Sequence, residues 1–168
     1  MKKGYVCILC TVILVFAVTV TVPYCKKYIL YEKYRYPNEE FYGKELYSEI
    51  GYHCSDYEKD VGNTLLDKAI MVSEYRGSEK DAESELGEVG ALSRYYYYNT
   101  KGTSEQKAEL QFITCKISGE SGHIWLNSTV LNYDENGKCF SGGRDMLTLW
   151  YIEKNGEEWF VEQVIETP

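Results

Sequence analysis

The chain has 168 residues, with 26 acidic side chains against 18 basic ones and a formal charge of −8 at neutral pH. Its first 27 residues hold four Lys and no acid, so the remainder carries −12, a charge that repels nucleic acid and anionic headgroups and excludes both as partners of the folded part. Without that leader about 140 residues remain, enough for one hydrophobic core and one domain.

From Tyr5 to Val22 no residue is charged, and the stretch is bracketed by Lys2-Lys3 and Lys26-Lys27. Extended to Cys25 as a helix it spans about 31 Å, close to the ~30 Å hydrocarbon core of a bilayer. Tyr5 at one end and Tyr24 and Tyr28 at the other stand where interfacial aromatics are favoured. No small-x-small cleavage site follows Ala17, and the bulky Tyr24 before Cys25 argues against lipid attachment. An uncleaved anchor is therefore preferred to a cleaved signal peptide. Lys26, Lys27, Lys33 and Arg35 favour a cytoplasmic domain by charge count. Long domains translocate largely regardless of such charge, however, and the short Met-Lys-Lys start looks like an export signal. The expected organisation is a transmembrane anchor with flanks over 1–27, a juxtamembrane linker over 28–37, and an extracytoplasmic α+β domain over 38–168, the chain meeting the membrane through residues 5–25.

Tyr24, Tyr28 and Tyr31 lie at i, i+4 and i+7, which continues the anchor helix a turn or two until Pro37 stops it. Asn38 is a candidate N-cap for a helix through about Ile50, with Tyr42, Leu46 and Ile50 on one face. Ser55-Asp56-Tyr57-Glu58 fits a capping box and opens a helix that Gly77 ends, with a face of Tyr57, Val61, Leu65, Ala69 and Val72. Gly62-Asn63 weakens its middle. Another helix starts at Ser78 and carries Ala82, Leu86, Val89, Ser93 and Tyr96, with Gly87 and Gly90 allowing close approach to a sheet. Gly102 closes this half.

From about Glu105 the hydrophobic period changes from 3.6 to 2, giving strands over roughly 108–118, 122–133, 140–154 and 158–166. Their connections are Gly119-Glu120-Ser121-Gly122, Asn136-Gly137 and Asn155-Gly156, the last two being strong hairpin signals. The predicted fold is α+β: after the anchor, two to three helices packed on a four-stranded antiparallel meander. Tight Asn-Gly turns place Trp125 opposite about Thr148, Trp150 opposite Val161 and Ile152 opposite Trp159, and the first hairpin sets Cys115 beside Trp125. One face then holds Ile113, Cys115, Ile117, Trp125, Met146, Trp150, Ile152, Trp159, Val161 and Ile165, with the three tryptophans together. The other holds Phe112, Ile124, Leu126, Val130, Leu147, Leu149, Tyr151, Phe160 and Val164. Neither face is polar, so the side away from the helices also needs a cover, which implies a pocket, a second copy or a protein partner. A bulge at Ser141-Gly142-Gly143 exchanges the faces of a neighbouring strand.

Cys54, Cys115 and Cys139 lie outside the leader, an odd number, and this register holds Cys115 and Cys139 too far apart to bond; no disulfide is expected. With His53 and His123 the cysteines suggest metal chemistry, but no Cys-x-x-Cys or His-x₃-His spacing exists, and neither metal nor cofactor is expected. Gly-x-Ser-x-Gly, phosphate-loop and dinucleotide fingerprints are absent. Asn127-Ser128-Thr129 is a formal glycosylation sequon placed in mid-strand.

Helices followed by a long antiparallel meander, closing on Leu149-Trp150-Tyr151-Ile152-Glu153-Lys154-Asn155-Gly156-Glu157-Glu158-Trp159-Phe160-Val161, resemble the NTF2-like (cystatin-like) superfamily. The resemblance covers residues 105–166 best. Two of its branches join a single N-terminal span to an extracytoplasmic domain: small bacterial surface proteins, and VirB8-like assembly factors of conjugation and type IV secretion. It also includes isomerases in which an acid shuttles a proton inside an apolar cone; the candidates for that role here are Tyr133, Asp145, Glu153 and Glu162, with His123 as a base. Each acid is more simply a solvated turn or edge residue. The leading expectation is a membrane-anchored, non-catalytic binding module whose ligand or partner face is marked by Trp125, Trp150, Trp159, Tyr133 and His123.

Overall fold

The structure is a computed structural model that describes residues 22, 25, 27–35, 40–96 and 100–166. The chain divides into two compact units, Met1–Gly51 and Tyr52–Pro168. Apart from Val22 and Cys25, the apolar span 5–25 lies outside the described residues, as do Pro37 and Asn38. Among the described residues, no helix is long and apolar enough to cross a membrane.

In the first unit, residues 27–35 and 40–49 are helical. Tyr42, Leu46 and Ile50 are buried, as their i, i+4, i+8 spacing predicts. The two stretches meet through the Tyr31 and Tyr47 rings, edge to face at 5.0 Å, and the Lys27 ammonium 4.7 Å above the Tyr47 ring.

The second unit is α+β: helices on a four-stranded antiparallel sheet in the order β1-β2-β3-β4. Helix α1 runs Asp56–Glu74, and its start is the capping box read from the sequence, with the Ser55 hydroxyl accepting from the Glu58 N–H and the Glu58 carboxylate accepting from the Ser55 N–H. Val61, Leu65, Ala69 and Val72 are buried as expected, but Tyr57 is 55% exposed and points away from the core. Gly62 is buried too: a Cβ there would stand 2.4 Å from the Phe112 ring, so the missing side chain lets α1 settle against the sheet. At the other end Arg76 donates to the carbonyls of Ser73 and Tyr75, taking up orphan acceptors of the last turn.

Helix α2, Glu79–Leu86, is shorter than expected. It stops at Gly87, whose φ is +69°, and a 3₁₀ turn over Gly90–Tyr95 follows. Gly90 makes the sheet approach foreseen for it, since a Cβ would lie 2.9 Å from the Val161 carbonyl; Gly87 has nothing near it.

The strands are β1 Glu105–Ser118, β2 Ser121–Tyr133, β3 Cys139–Asn155 and β4 Glu158–Glu166. The face assignment needs correcting at β2, at Phe112 of β1 and at the end of β4. The first hairpin turns on Gly119-Glu120 alone, with Ser118 opposite Ser121, so Trp125 pairs with Thr114 instead of Cys115. Near the second turn the pairing of Val130 with Gly143 is the one that Asn136-Gly137 predicts. Beyond it Arg144 and Asp145 together oppose Thr129, and this extra residue sets Trp125 opposite Leu149. Asp145 has a φ of +52° there, just past the Gly142-Gly143 pair flagged for a bulge. The third hairpin turns on Gly156-Glu157, which moves the pairing by two residues and keeps Ile152 and Val161 on one face; a bulge at Glu162 then sets Trp150 opposite Val164, so Val164 and Ile165 exchange the faces expected for them.

The tryptophans are therefore split. Trp150 and Trp159 face the helices with Cys115, Ile117, Ile152 and Val161, joined by Phe112, Ile124, Leu126, Val130 and Val164. Trp125 lies on the opposite face with Leu147 and Leu149, and all three are buried. Burying each such large apolar side chain stabilises by about 1.5–3 kcal/mol, so no strand can turn over without losing several of these terms. Asn127 and Ser128 of the sequon are buried in β2.

Candidate functional site

The expected ligand or partner residues do not converge. Trp150 is fully buried, its indole N–H donating to the Tyr95 hydroxyl at 3.2 Å. Burial raises the Tyr95 phenol well above its usual range, and the Glu166 carboxylate at 3.4 Å adds to that. Arg94 pairs with Glu166 and donates to the Val164 carbonyl, which completes a chain of polar contacts tying the 3₁₀ turn to β3 and β4. Trp125 is fully buried on the other face. His123 stacks edge-on against Tyr151 at 4.7 Å. Tyr133 lies ten residues further along β2, about 33 Å away at 3.3 Å per residue, beneath the Lys107 ammonium. One constellation cannot include both.

The acids weighed for proton transfer are also dispersed. Asp145 sits at its bulge, accepting from the Asn127 amide at 3.3 Å. Glu153 and Glu162 are exposed. They border a shallow cleft of about 580 Å³ beside Glu88 and Phe160. Among the described residues no group of three or more His, Cys, Asp or Glu is gathered as a metal site. Cys25, Cys54, Cys115 and Cys139 are free thiols.

One buried acid escaped the sequence reading in this role. Glu58 is 6% exposed, and its two oxygens accept from the Ser55 N–H at 2.7 Å, the Ser55 hydroxyl at 2.9 Å, the Ile117 N–H at 2.9 Å and the Tyr52 hydroxyl at 3.3 Å. Burial alone would raise its pKa; the donors from Ile117, Ser55 and Tyr52 outweigh burial and hold it below the ordinary value. A carboxylate satisfied on both oxygens is a fastener between the helix start and edge strand β1, with no lone pair left to act as a base.

Trp159 of the expected set borders an open site. It flanks a cleft of about 590 Å³ between α1 and the β3–β4 hairpin. Its indole N–H donates to the Tyr57 hydroxyl at 3.0 Å, so the two rings form a fixed aromatic wall. Val61 and Leu65 supply the apolar floor, and Asp60, Lys68, Lys154, Glu157 and Glu158 the charged rim. Lys68 is held in place by the Glu88 carbonyl and lies 5.5 Å from the centre of the Phe160 ring. Tyr57, Val61, Thr64 and Lys68 recur at i, i+4, i+7 and i+11, a helical stripe legible in the sequence. It was missed because Tyr57 reads as one more core residue. The arrangement is suited to hold an apolar group against the aromatic wall while charges at the rim orient it.

Compared with protein-family models, with curated proteins and with solved structures, the chain matches none.

Proposed function

We propose that this chain is a membrane-tethered, extracytoplasmic binding module of the NTF2-like type, without catalytic activity, that takes a basic polypeptide segment into the cleft between α1 and the β3–β4 hairpin. The observation that carries this reading is the Tyr57–Trp159 pair: two surface aromatics locked by a hydrogen bond over an apolar floor. Aromatic anchors of this kind dominate protein interfaces because they bury large area at small entropic cost. The charge of the occupant follows from the −12 outside the leader and from the rim, where Asp60, Glu157 and Glu158 outnumber Lys68 and Lys154. The helices ahead of a four-stranded meander and the aromatic final hairpin support the superfamily, and the uncharged leader supports the tether.

The test uses the full chain in detergent or nanodiscs against cationic peptides that carry one Trp-free aliphatic or Phe anchor. Trp159 fluorescence should shift on binding, and Trp159→Ala should weaken affinity at least tenfold, about 1.4 kcal/mol. Peptides that leave the fluorescence of the native protein unchanged, or bind the variant equally well, defeat the cleft reading. External protease on intact cells should digest the domain; full protection would place it on the other side of the membrane.

A further inference from the structure

We propose that Cys54 and Cys115 form a thiol pair that closes to an intramolecular disulfide, joining the segment before α1 to edge strand β1. The inference is independent of the cleft. Two clamps hold the segments together: the Thr114 hydroxyl donates to the Tyr52 carbonyl at 2.8 Å, and Glu58 accepts at once from the Ser55 and Ile117 N–H groups. The clamps are equally spaced on both sides, Tyr52 to Ser55 and Thr114 to Ile117, so the stretches run alongside in the same direction. Residue 54 therefore falls opposite Lys116, the immediate neighbour of Cys115. The Tyr52 hydroxyl has Glu58, Cys54 and Cys115 as electrostatic neighbours, and the Cys115 thiol has Glu58 and Cys54.

The two cysteines differ in a way that gives closure an order. Cys54 is partly exposed and Cys115 fully buried. Burial, with Glu58 and Cys54 adding to it, pushes the Cys115 thiol up to about 12, so it is a poor first attacker. The oxidant is a small disulfide such as oxidised glutathione or the disulfide of an oxidoreductase. The Cys54 thiolate attacks one sulfur of it, expelling a thiolate and leaving a mixed disulfide on Cys54. The Cys115 thiol gives up its proton and attacks the Cys54 sulfur, expelling the second thiolate. Both leaving thiolates take up the protons released, so two protein thiols become one disulfide and the oxidant becomes two thiols. Such closure belongs to an oxidising compartment.

The full chain is treated with oxidised glutathione, blocked with iodoacetamide and digested with trypsin without reduction. Cleavage after Lys44, Lys59, Lys107 and Lys116 releases residues 45–59 and 108–116, each with one cysteine, and these should appear joined. Cys115→Ser should leave glutathione on Cys54, and Cys54→Ser should leave Cys115 unmodified. The thermal midpoint of the oxidised native chain should exceed that of the reduced chain by on the order of 10 °C, a difference that Cys54→Ser abolishes. Recovery of peptide 108–116 alkylated, with Cys54 carrying only glutathione or joined to Cys139 in peptide 139–144, overturns the proposal. Because Cys54 is partly exposed, its serine variant retains the fold and keeps the comparison valid.

Discussion

Glu58 shows how one side chain can join three levels of the structure. It closes the capping box of α1, occupies an outward-facing N–H of edge strand β1, and accepts from Tyr52. Glu58→Gln keeps the shape and removes the charge, turning strong charge-assisted bonds into ordinary ones and leaving an amide N–H₂ among donors. A loss of about 2 kcal/mol at neutral pH is expected, measured by urea unfolding. Its folded pKa is depressed, so this contribution is fully present above the ordinary value of 4.5 and is lost as pH falls through the folded value. The difference between native and variant should accordingly shrink in acid; a gap that stays constant would show the charge to be irrelevant. Tyr95→Phe tests the second polar device of the core. It strands the buried Trp150 N–H and should cost about 1–3 kcal/mol, since an unsatisfied buried donor bears its full desolvation penalty.

At the scale of elements, the contact between α1 and β1 is set by an absence of atoms at Gly62. Gly62→Ala gains about 1 kcal/mol of helix propensity. It also drives a methyl group to 2.4 Å from the Phe112 ring, an overpacking that costs about 1–3 kcal/mol. The second effect should win in the native background, lowering stability by about 1 kcal/mol net. With Phe112→Leu already in place the same substitution should become stabilising, because the space is then free and only propensity remains. A double-mutant cycle by chemical denaturation reads the coupling directly. The bulges belong to this scale as well. Ile113, Asp145 and Glu162 each stand as an extra residue in one strand of a pair, and together they let Phe112 and Cys115, or Val161 and Val164, share a face at odd spacing.

Over the whole molecule, the proposed function assigns the arrival of a partner to the acidic surplus and its retention to the cleft. Binding of a cationic peptide should therefore lose association rate as salt rises from low to physiological levels, where the screening length falls to about 8 Å. Dissociation should change little with salt and respond to Trp159→Ala instead. Stopped-flow fluorescence separates the two; equal sensitivity of both rates to salt would remove the apolar anchor from the account.

How much was legible beforehand differs by element. The capping box at Ser55, the core stripe from Val61 to Val72, the helix burying Tyr42, Leu46 and Ile50, and all four strands could be read directly, because each rests on spacing within a single segment. The split of the tryptophans could not. Which face Trp125 takes depends on one residue more or less at Gly119-Glu120 and at Asp145, and a strand accepts either until two layers must close over a common core. The cleft was illegible for a similar reason, since Tyr57 and Trp159 are 102 residues apart and Tyr57 reads as core on its own. The chain alone determined the α+β class, the meander and the acidic surface, which follow from local periodicity and composition. Tertiary structure alone decided the handing of faces, the Glu58 fastening, the aromatic wall and the meeting of Cys54 with β1, because those depend on register, and register is chosen by the burial of the assembled core.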